Sequence, residues 1–188
     1  MVSHGKMVVI SGPSGAGKST VCRRILEDAK VQFSVSATTR AIRPGEIDGC
    51  DYHFLDKQTF RAKVAAGEFI EYASVHGNMY GTLRAPVQTA LSAGRHVLLE
   101  IDVQGALQIK DQEIAGLYIF IAPPSFEELR RRLVGRGTEA PEVVERRLKK
   151  AEDEYRERVK YDAVVVNDKL EDCVAEVRAL IGLEEGGV

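Results

Sequence analysis

The stretch Gly12-Pro13-Ser14-Gly15-Ala16-Gly17-Lys18-Ser19-Thr20 gathers three glycines, a lysine and three hydroxyls within nine residues. Glycines permit backbone conformations that turn successive N–H groups inward around an anion. A lysine at this spacing reaches the outer phosphates of a nucleotide, and the serine after it suits Mg2+. The stretch follows the apolar run Met7-Val8-Val9-Ile10 and precedes Val21, Cys22, Ile25, Leu26 and Ala29 at helical spacing. Strand, phosphate loop and helix in that order make a nucleoside triphosphate site. Arg40 and Arg43, three apart in a polar loop, supply forked donors suited to a second phosphate. Val97-Leu98-Leu99-Glu100-Ile101-Asp102 is an apolar run ending in an acid, the pattern of a buried parallel strand that carries a carboxylate to its C-terminal edge. Ligands of open α/β sheets gather at that edge.

Other elements must hold these groups. Val31 to Ser36 reads as a strand, residues 36–49 as a turn-rich loop, and Tyr52 to Leu55 as a short strand. Asp56 is placed to cap a helix reaching about Ala66, and Phe69–Val75 with Met79–Gly81 reads as a hairpin around His76-Gly77-Asn78. Thr82 is expected to cap a helix that tolerates Pro86 in its first turns and ends at Gly94. Leu117 to Ala122 is a further buried strand, and Ser125-Phe126-Glu127-Glu128 forms a capping box for a helix carrying Arg130, Arg131 and Arg132. Gly135 to Thr138 breaks that helix, and a long charged helix runs from about Pro141 to Tyr161. Ala163 to Val166 is the last strand, Leu170 to Leu183 the closing helix, and Glu184 to Val188 a frayed tail. Alternating strands and helices select a parallel α/β sheet with right-handed crossovers.

One domain fits 188 residues that are 44% hydrophobic, with no repeats. The net charge of −2 argues against a nucleic-acid polymer as partner, while leaving mononucleotides open. Cys22, Cys50 and Cys173 are odd in number and widely spaced, which argues against a disulfide framework or a zinc site. No apolar run approaches a membrane span or a signal peptide. The expectation is a soluble, cytoplasmic protein with no membrane contact and no obligate protein partner.

A phosphate loop alone permits a switch GTPase, an ATP-driven motor or a small-molecule kinase, because phosphoryl transfer needs mainly positioning and charge neutralisation. Val166-Asn167-Asp168-Lys169 has the wrong order for the guanine reader of a switch GTPase, and a motor is usually larger. The paired arginines favour a kinase for a small phosphorylated acceptor. Gly12 to Thr20, Ser34 to Arg40, Gly45 to Tyr52, Gly67 to Tyr72, Tyr80-Gly81, Leu99 to Gly105 and Gly135 to Glu139 together resemble the guanylate kinase family, from about residue 7 to residue 182. One departure is Ile42, where the family commonly has proline between its arginines.

The resemblance implies a three-layer P-loop fold with a five-stranded parallel core sheet, in a single domain. The core is expected at about 1–36, 82–124 and 162–188, a β-rich GMP-binding insertion at about 37–81 and a helical lid at about 125–161. It implies ATP, bound by Gly12 to Thr20 with Arg132, Arg136 and Asn167, and Mg2+ on Ser19, otherwise held through water. Arg40, Arg43, Tyr52 and Tyr80 would hold the GMP phosphate, with Glu46 in the same loop. Ser36, Glu71 and Thr82 would face the guanine, and Glu100 and Asp102 would serve the acceptor or the Mg2+ shell. Lys18, Arg40, Asp102, Arg136 and Arg147 are the expected catalytic set. The implied reaction is ATP + GMP giving ADP + GDP, with dGMP as a second acceptor. A protein-binding module of the same family, or a kinase for another small phosphate such as a ribose bisphosphate, are the alternatives.

Overall fold

The computed structural model describes residues 5–75, 77–134 and 141–183. The central sheet is made of β1 (Met7–Ser11), β2 (Val31–Phe33), β7 (His96–Glu100), β8 (Leu117–Ala122) and β9 (Ala163–Val166), in the order β2-β7-β1-β8-β9. All four pairings are parallel. The apolar run of β1 has no polar alternation because both faces are covered. Val8 and Ile10 join a core cluster with Cys22, Ile25, Val174 and Val177, whereas Met7 and Val9 join one with Val87, Ala90, Ala106 and Ile109. The first cluster is roofed by α1 (Lys18–Ile25) and α7 (Leu170–Ile181), the second by α3 (Arg84–Ser92) and α4 (Val103–Asp111). Three layers result.

Two excursions leave this core. One carries a second sheet of β3 (Ala37–Thr38), β4 (His53–Phe54), β5 (Phe69–Val75) and β6 (Asn78–Leu83), ordered β4-β3-β6-β5, with α2 (Lys57–Ala65) packed on it. Its own small core centres on Ala37, Phe60 and Phe69, the two rings stacked at 4.4 Å. The other pairs α5 (Phe126–Val134) with α6 (Pro141–Arg156) through Leu129, Leu133, Val144, Leu148 and Ala151.

Several boundaries differ from expectation. The helix after the phosphate loop stops at Ile25 rather than Ala29, and the chain turns back with the Val31 N–H on the Asp28 carbonyl. The strand expected over 31–36 ends at Phe33, and the chain crosses to the second sheet at Ala37. Thr82 is not a helix cap: it lies in β6, Leu83 occupies the cap position, and the Thr82 hydroxyl donates to Glu71 at 2.7 Å. Helix α4 was not anticipated. Asp102, read as a strand terminus, is its N-cap and accepts from the Gly105 N–H at 2.8 Å. The long charged helix ends at Arg156 and gives way to a 3-10 turn over Glu157–Lys160. The expected break at Gly135 to Thr138, His76 in the hairpin turn and the tail from Glu184 lie outside the described residues. Among the described residues, no helix is long and apolar enough to cross a membrane.

Candidate active site

The phosphate loop leaves β1 at Gly12 and enters α1 at Lys18. Gly17 sits at φ +92°, left-handed backbone that glycine adopts without strain, and a Cβ there would lie 2.3 Å from Asn167 Nδ2. Only glycine therefore lets the loop pack this closely. Asn167 is buried and donates Nδ2–H to the Ala16 carbonyl at 2.8 Å, while its own carbonyl accepts from Arg132 at 3.0 Å. Arg132 is held in turn by Glu128 at 2.8 Å. Asn167 and Arg132 thus brace the loop from behind.

Lys18 Nζ donates to the carbonyls of Gly12, at 2.6 Å, and Pro13, at 3.1 Å, so it lies across the mouth of the loop. Burial lowers its pKa, and Glu100, Glu154 and Asp102 oppose that shift by keeping the ammonium charged. The Ser19 hydroxyl donates to Glu100 Oε1 at 2.5 Å. From across the opening, Arg147 of α6 donates to Ser14 Oγ at 2.7 Å. Backbone N–H groups at a helix start, a lysine and an arginine converge here, an arrangement that binds and neutralises phosphates.

These groups open into a cleft of about 780 Å³. Its walls carry Lys18, Ser19, Glu100 and Asp102 from the core, Ser36, Tyr52, Glu71 and Tyr80 from the second sheet, and Arg146, Arg147 and Glu154 from α6. Pro13, Ala16, Arg40, Arg43, Glu46, Thr82, Arg132 and Asn167 stand outside that lining, and Arg136 lies outside the described residues.

Glu71 is 6% exposed, an unusual place for a carboxylate. Burial, with a smaller push from Asp102, raises its pKa to about 7 against the opposing hydrogen bond from Thr82. Neighbouring Tyr52 and Tyr80 meet edge to face at 5.9 Å, and the Arg40 guanidinium lies 5.4 Å from the Tyr52 ring centre. Glu46 fixes that guanidinium with two bonds of 2.7 and 3.0 Å and accepts from the Arg43 N–H at 2.8 Å. One carboxylate therefore braces the loop on both sides of Ile42, where proline is absent. Arg43 itself lies on the exposed segment 41–45 and meets Glu46 through its backbone.

Sequence reasoning passed over Glu154, Arg146 and Lys150, which line the cleft from α6. Their spacing of four residues along one helix face was the available signal. Among the described residues, no group of three or more His, Cys, Asp or Glu side chains is placed to hold a metal ion. The oxygen donors at hand, Ser19 Oγ beside Glu100, suit a hard cation that takes most of its ligands from phosphates and water.

A profile of the family described as Guanylate kinase matches residues 4–184. The protein is 48% identical over 184 residues to a guanylate kinase of Clostridium perfringens, covering 97% of this chain and 85% of that one. It is 51% identical over 181 residues to a guanylate kinase of Thermus thermophilus, covering 96% of this chain and 82% of that one. The crystal structure of guanylate kinase from Anaplasma phagocytophilum aligns with a TM-score of 0.78 at 37% identity, covering 99% of this chain and 89% of that one. A phosphate loop and a buried carboxylate facing one cleft, on a fold shared with these relatives, place the chain in the guanylate kinase family.

Proposed function

We propose that the protein transfers the γ-phosphoryl group of ATP to the phosphate of GMP, and of dGMP, yielding ADP and GDP or dGDP. The observation that carries this reading is the single cleft holding Lys18 and Ser19 on one side and Glu71, Ser36, Tyr52 and Tyr80 on the other. An acceptor phosphate oxygen attacks Pγ, the bond from Pγ to the bridging oxygen breaks in line, and ADP leaves with that oxygen's electron pair. No covalent enzyme intermediate is involved.

Gly12 to Thr20 hold the donor phosphates, with Lys18 and Arg147 drawing charge off the transferring group. Arg132 and Asn167 act on the donor side by bracing the loop, and Arg136 joins the lid set. Ser19, with Glu100 and Asp102 nearby, would hold Mg2+, which supplies charge neutralisation between the donor phosphates when bound. Segment 37–81 is the acceptor insertion and 125–161 the lid, whose closure excludes water as a competing acceptor.

Arg40, Tyr52 and Tyr80, with Arg43 swinging in from the exposed segment, take the acceptor phosphate, and Glu46 positions Arg40. Guanine presents two donors, N1–H and the 2-amino group, where adenine presents an acceptor and a C–H. A carboxylate at Glu71 accepts from both, with Ser36 and Thr82 beside it, and adenine would leave that carboxylate buried and unpaired. Three free thiols, two of them buried, fit a reducing cytoplasm.

An ADP-coupled assay with GMP, dGMP, AMP and UMP tests the proposal. Turnover with the two guanine nucleotides, at a kcat/KM at least about 10³ above AMP, is expected. Comparable turnover with AMP, or none with GMP, would overturn it.

A further inference from the structure

Strand β5 breaks the alternation that a strand imposes. Phe69, Ile70 and Glu71 are all buried, three in a row, before the pattern returns to in-and-out from Tyr72 onward. The cause is a register shift against β6 between Phe69 and Glu71: Phe69 faces Leu83 and Glu71 faces the next residue, Thr82. A bulge of this kind re-aims one side chain. Here it turns Ile70 into the core cluster with Ala106 and Ile109 of α4 while keeping Glu71 inward against Thr82.

A bulge on an edge strand leaves backbone groups without ladder partners, and β5 is the edge of its sheet. Helix α4 and its C-cap residue Gln112 supply them. Gln112 Nε2 donates to the Ile70 carbonyl at 2.9 Å, and Gln108 Oε1 accepts from the Tyr72 N–H at 3.4 Å, so the two glutamines hold the backbone on either side of Glu71. One turn toward the helix N-terminus on the same face stands Gly105. A Cβ on Gly105 would lie 2.8 Å from Glu71 Oε2 and 3.3 Å from its Cδ. Gly105 is not in left-handed backbone, so what its lack of a side chain provides is space for the carboxylate. Asp102, Gly105, Gln108 and Gln112 thus form one stripe along α4 facing the carboxylate and the strand that bears it.

We propose that α4 sets the acceptor specificity of this enzyme by gauging Glu71: Gly105 fixes how closely the helix meets the carboxylate, and Gln108 and Gln112 hold the bulged backbone that aims it. These three are positioning residues. The inference rests on the reading of Glu71 as the group that accepts from guanine. It adds that the core helix, and not only the inserted sheet, carries the selectivity.

The test is a set of four variants, Gly105→Ala, Gln108→Ala/Gln112→Ala, Glu71→Gln and Gly105→Ala/Glu71→Gln, assayed with GMP and AMP at saturating ATP. An alanine Cβ needs roughly 0.6 Å more room to reach ordinary contact, and displacements near 1 Å cost about a hundredfold in well-ordered sites, so KM for GMP should rise about tenfold in Gly105→Ala. KM for ATP should stay within about twofold and the fold should be retained by circular dichroism, since the gain in helix propensity offsets part of the overpacking at the 2.8 Å contact. The glutamine pair, near the surface, should raise KM for GMP about threefold with the same silence toward ATP. In the Glu71→Gln background, Gly105→Ala should cause no further loss of GMP-over-AMP discrimination, the non-additivity of two residues acting on one contact. If Glu71→Gln lowers discrimination while Gly105→Ala and the glutamine pair leave it unchanged, the gauging role is refuted and the reading of Glu71 stands. If Glu71→Gln itself leaves discrimination unchanged, both fall together.

Discussion

Affinity for GMP should depend on pH in a way set by one buried carboxyl. Burial raises Glu71 to about 7, Asp102 adds to the shift from the N-cap of α4, and the Thr82 hydroxyl opposes it. Guanine offers only donors on the edge in question, so it selects the ionised form, and apparent Kd scales as 1 + 10^(pKa − pH). With a pKa near 7 that factor is about 11 at pH 6 and about 1.1 at pH 8, a tenfold weakening. The second ionisation of the GMP phosphate, at about pH 6, contributes about another factor of two. Wild-type enzyme should therefore lose about twentyfold in affinity between pH 8 and pH 6, and Glu71→Gln only the twofold belonging to the phosphate. Calorimetric titration of GMP without ATP measures both profiles, and buffers of different ionisation enthalpy should show release of about one proton on binding near pH 6.5 in wild type and only the phosphate's share, about a quarter of a proton, in Glu71→Gln.

The same group sets a stability trend of opposite sign. A carboxyl raised from the ordinary range to about 7 keeps its proton longer in the folded state than in the unfolded one. The free protein should thus become less stable as pH rises from about 4.5 to 7, by at most roughly 3 kcal/mol, and level off above. Denaturant midpoints of wild type and Glu71→Gln across that window report the difference. A wild-type binding profile no steeper than that of Glu71→Gln would refute the reasoning from burial to recognition.

Lys18→Ala should lower turnover by about 10³ or more in the ADP-coupled assay, while GMP binding measured by calorimetry stays within about twofold. Asn167→Ala leaves the buried Ala16 carbonyl without its donor, which should cost about 1–3 kcal/mol in denaturant unfolding and raise KM for ATP more than KM for GMP. Glu46→Ala should release Arg40 and the Arg43 backbone together, raising KM for GMP several-fold while leaving the affinity for guanosine, which carries no phosphate, unchanged.

The core was legible because its burial obeys simple periods. Met7 to Ile10 and Leu117 to Ala122 are continuous apolar runs, and only a strand covered on both faces requires that. The phosphate loop was legible because its backbone demands glycine at fixed places. Thr82 and Asp102 were misplaced for a common physical reason: a hydroxyl or a short carboxylate satisfies a helix N-terminus and a buried polar partner equally well. Tertiary context decides between the two. Thr82 went to Glu71, and Asp102, expected as a terminal acid of the strand, became the cap of α4.

The least legible residues are those that act on Glu71 through shape or backbone. A bulge leaves no mark in the sequence beyond three residues, Phe69, Ile70 and Glu71, whose burial no alternating strand would allow. In the sequence Gly105 figures only as the end of the Leu99–Gly105 motif, and Gln108 and Gln112, in a stretch where no helix is expected, carry no signal. Their meaning comes from the 2.8 Å that a Cβ at Gly105 would leave to Glu71 and the 2.9 Å bond from Gln112 to Ile70. The residue types that bind phosphate announce themselves by charge and spacing, because phosphate is recognised by charge. On the proposed reading, guanine is told from adenine by where a single carboxylate stands. That position is set by neighbours whose contribution is an absent methyl group and two hydrogen bonds to main chain.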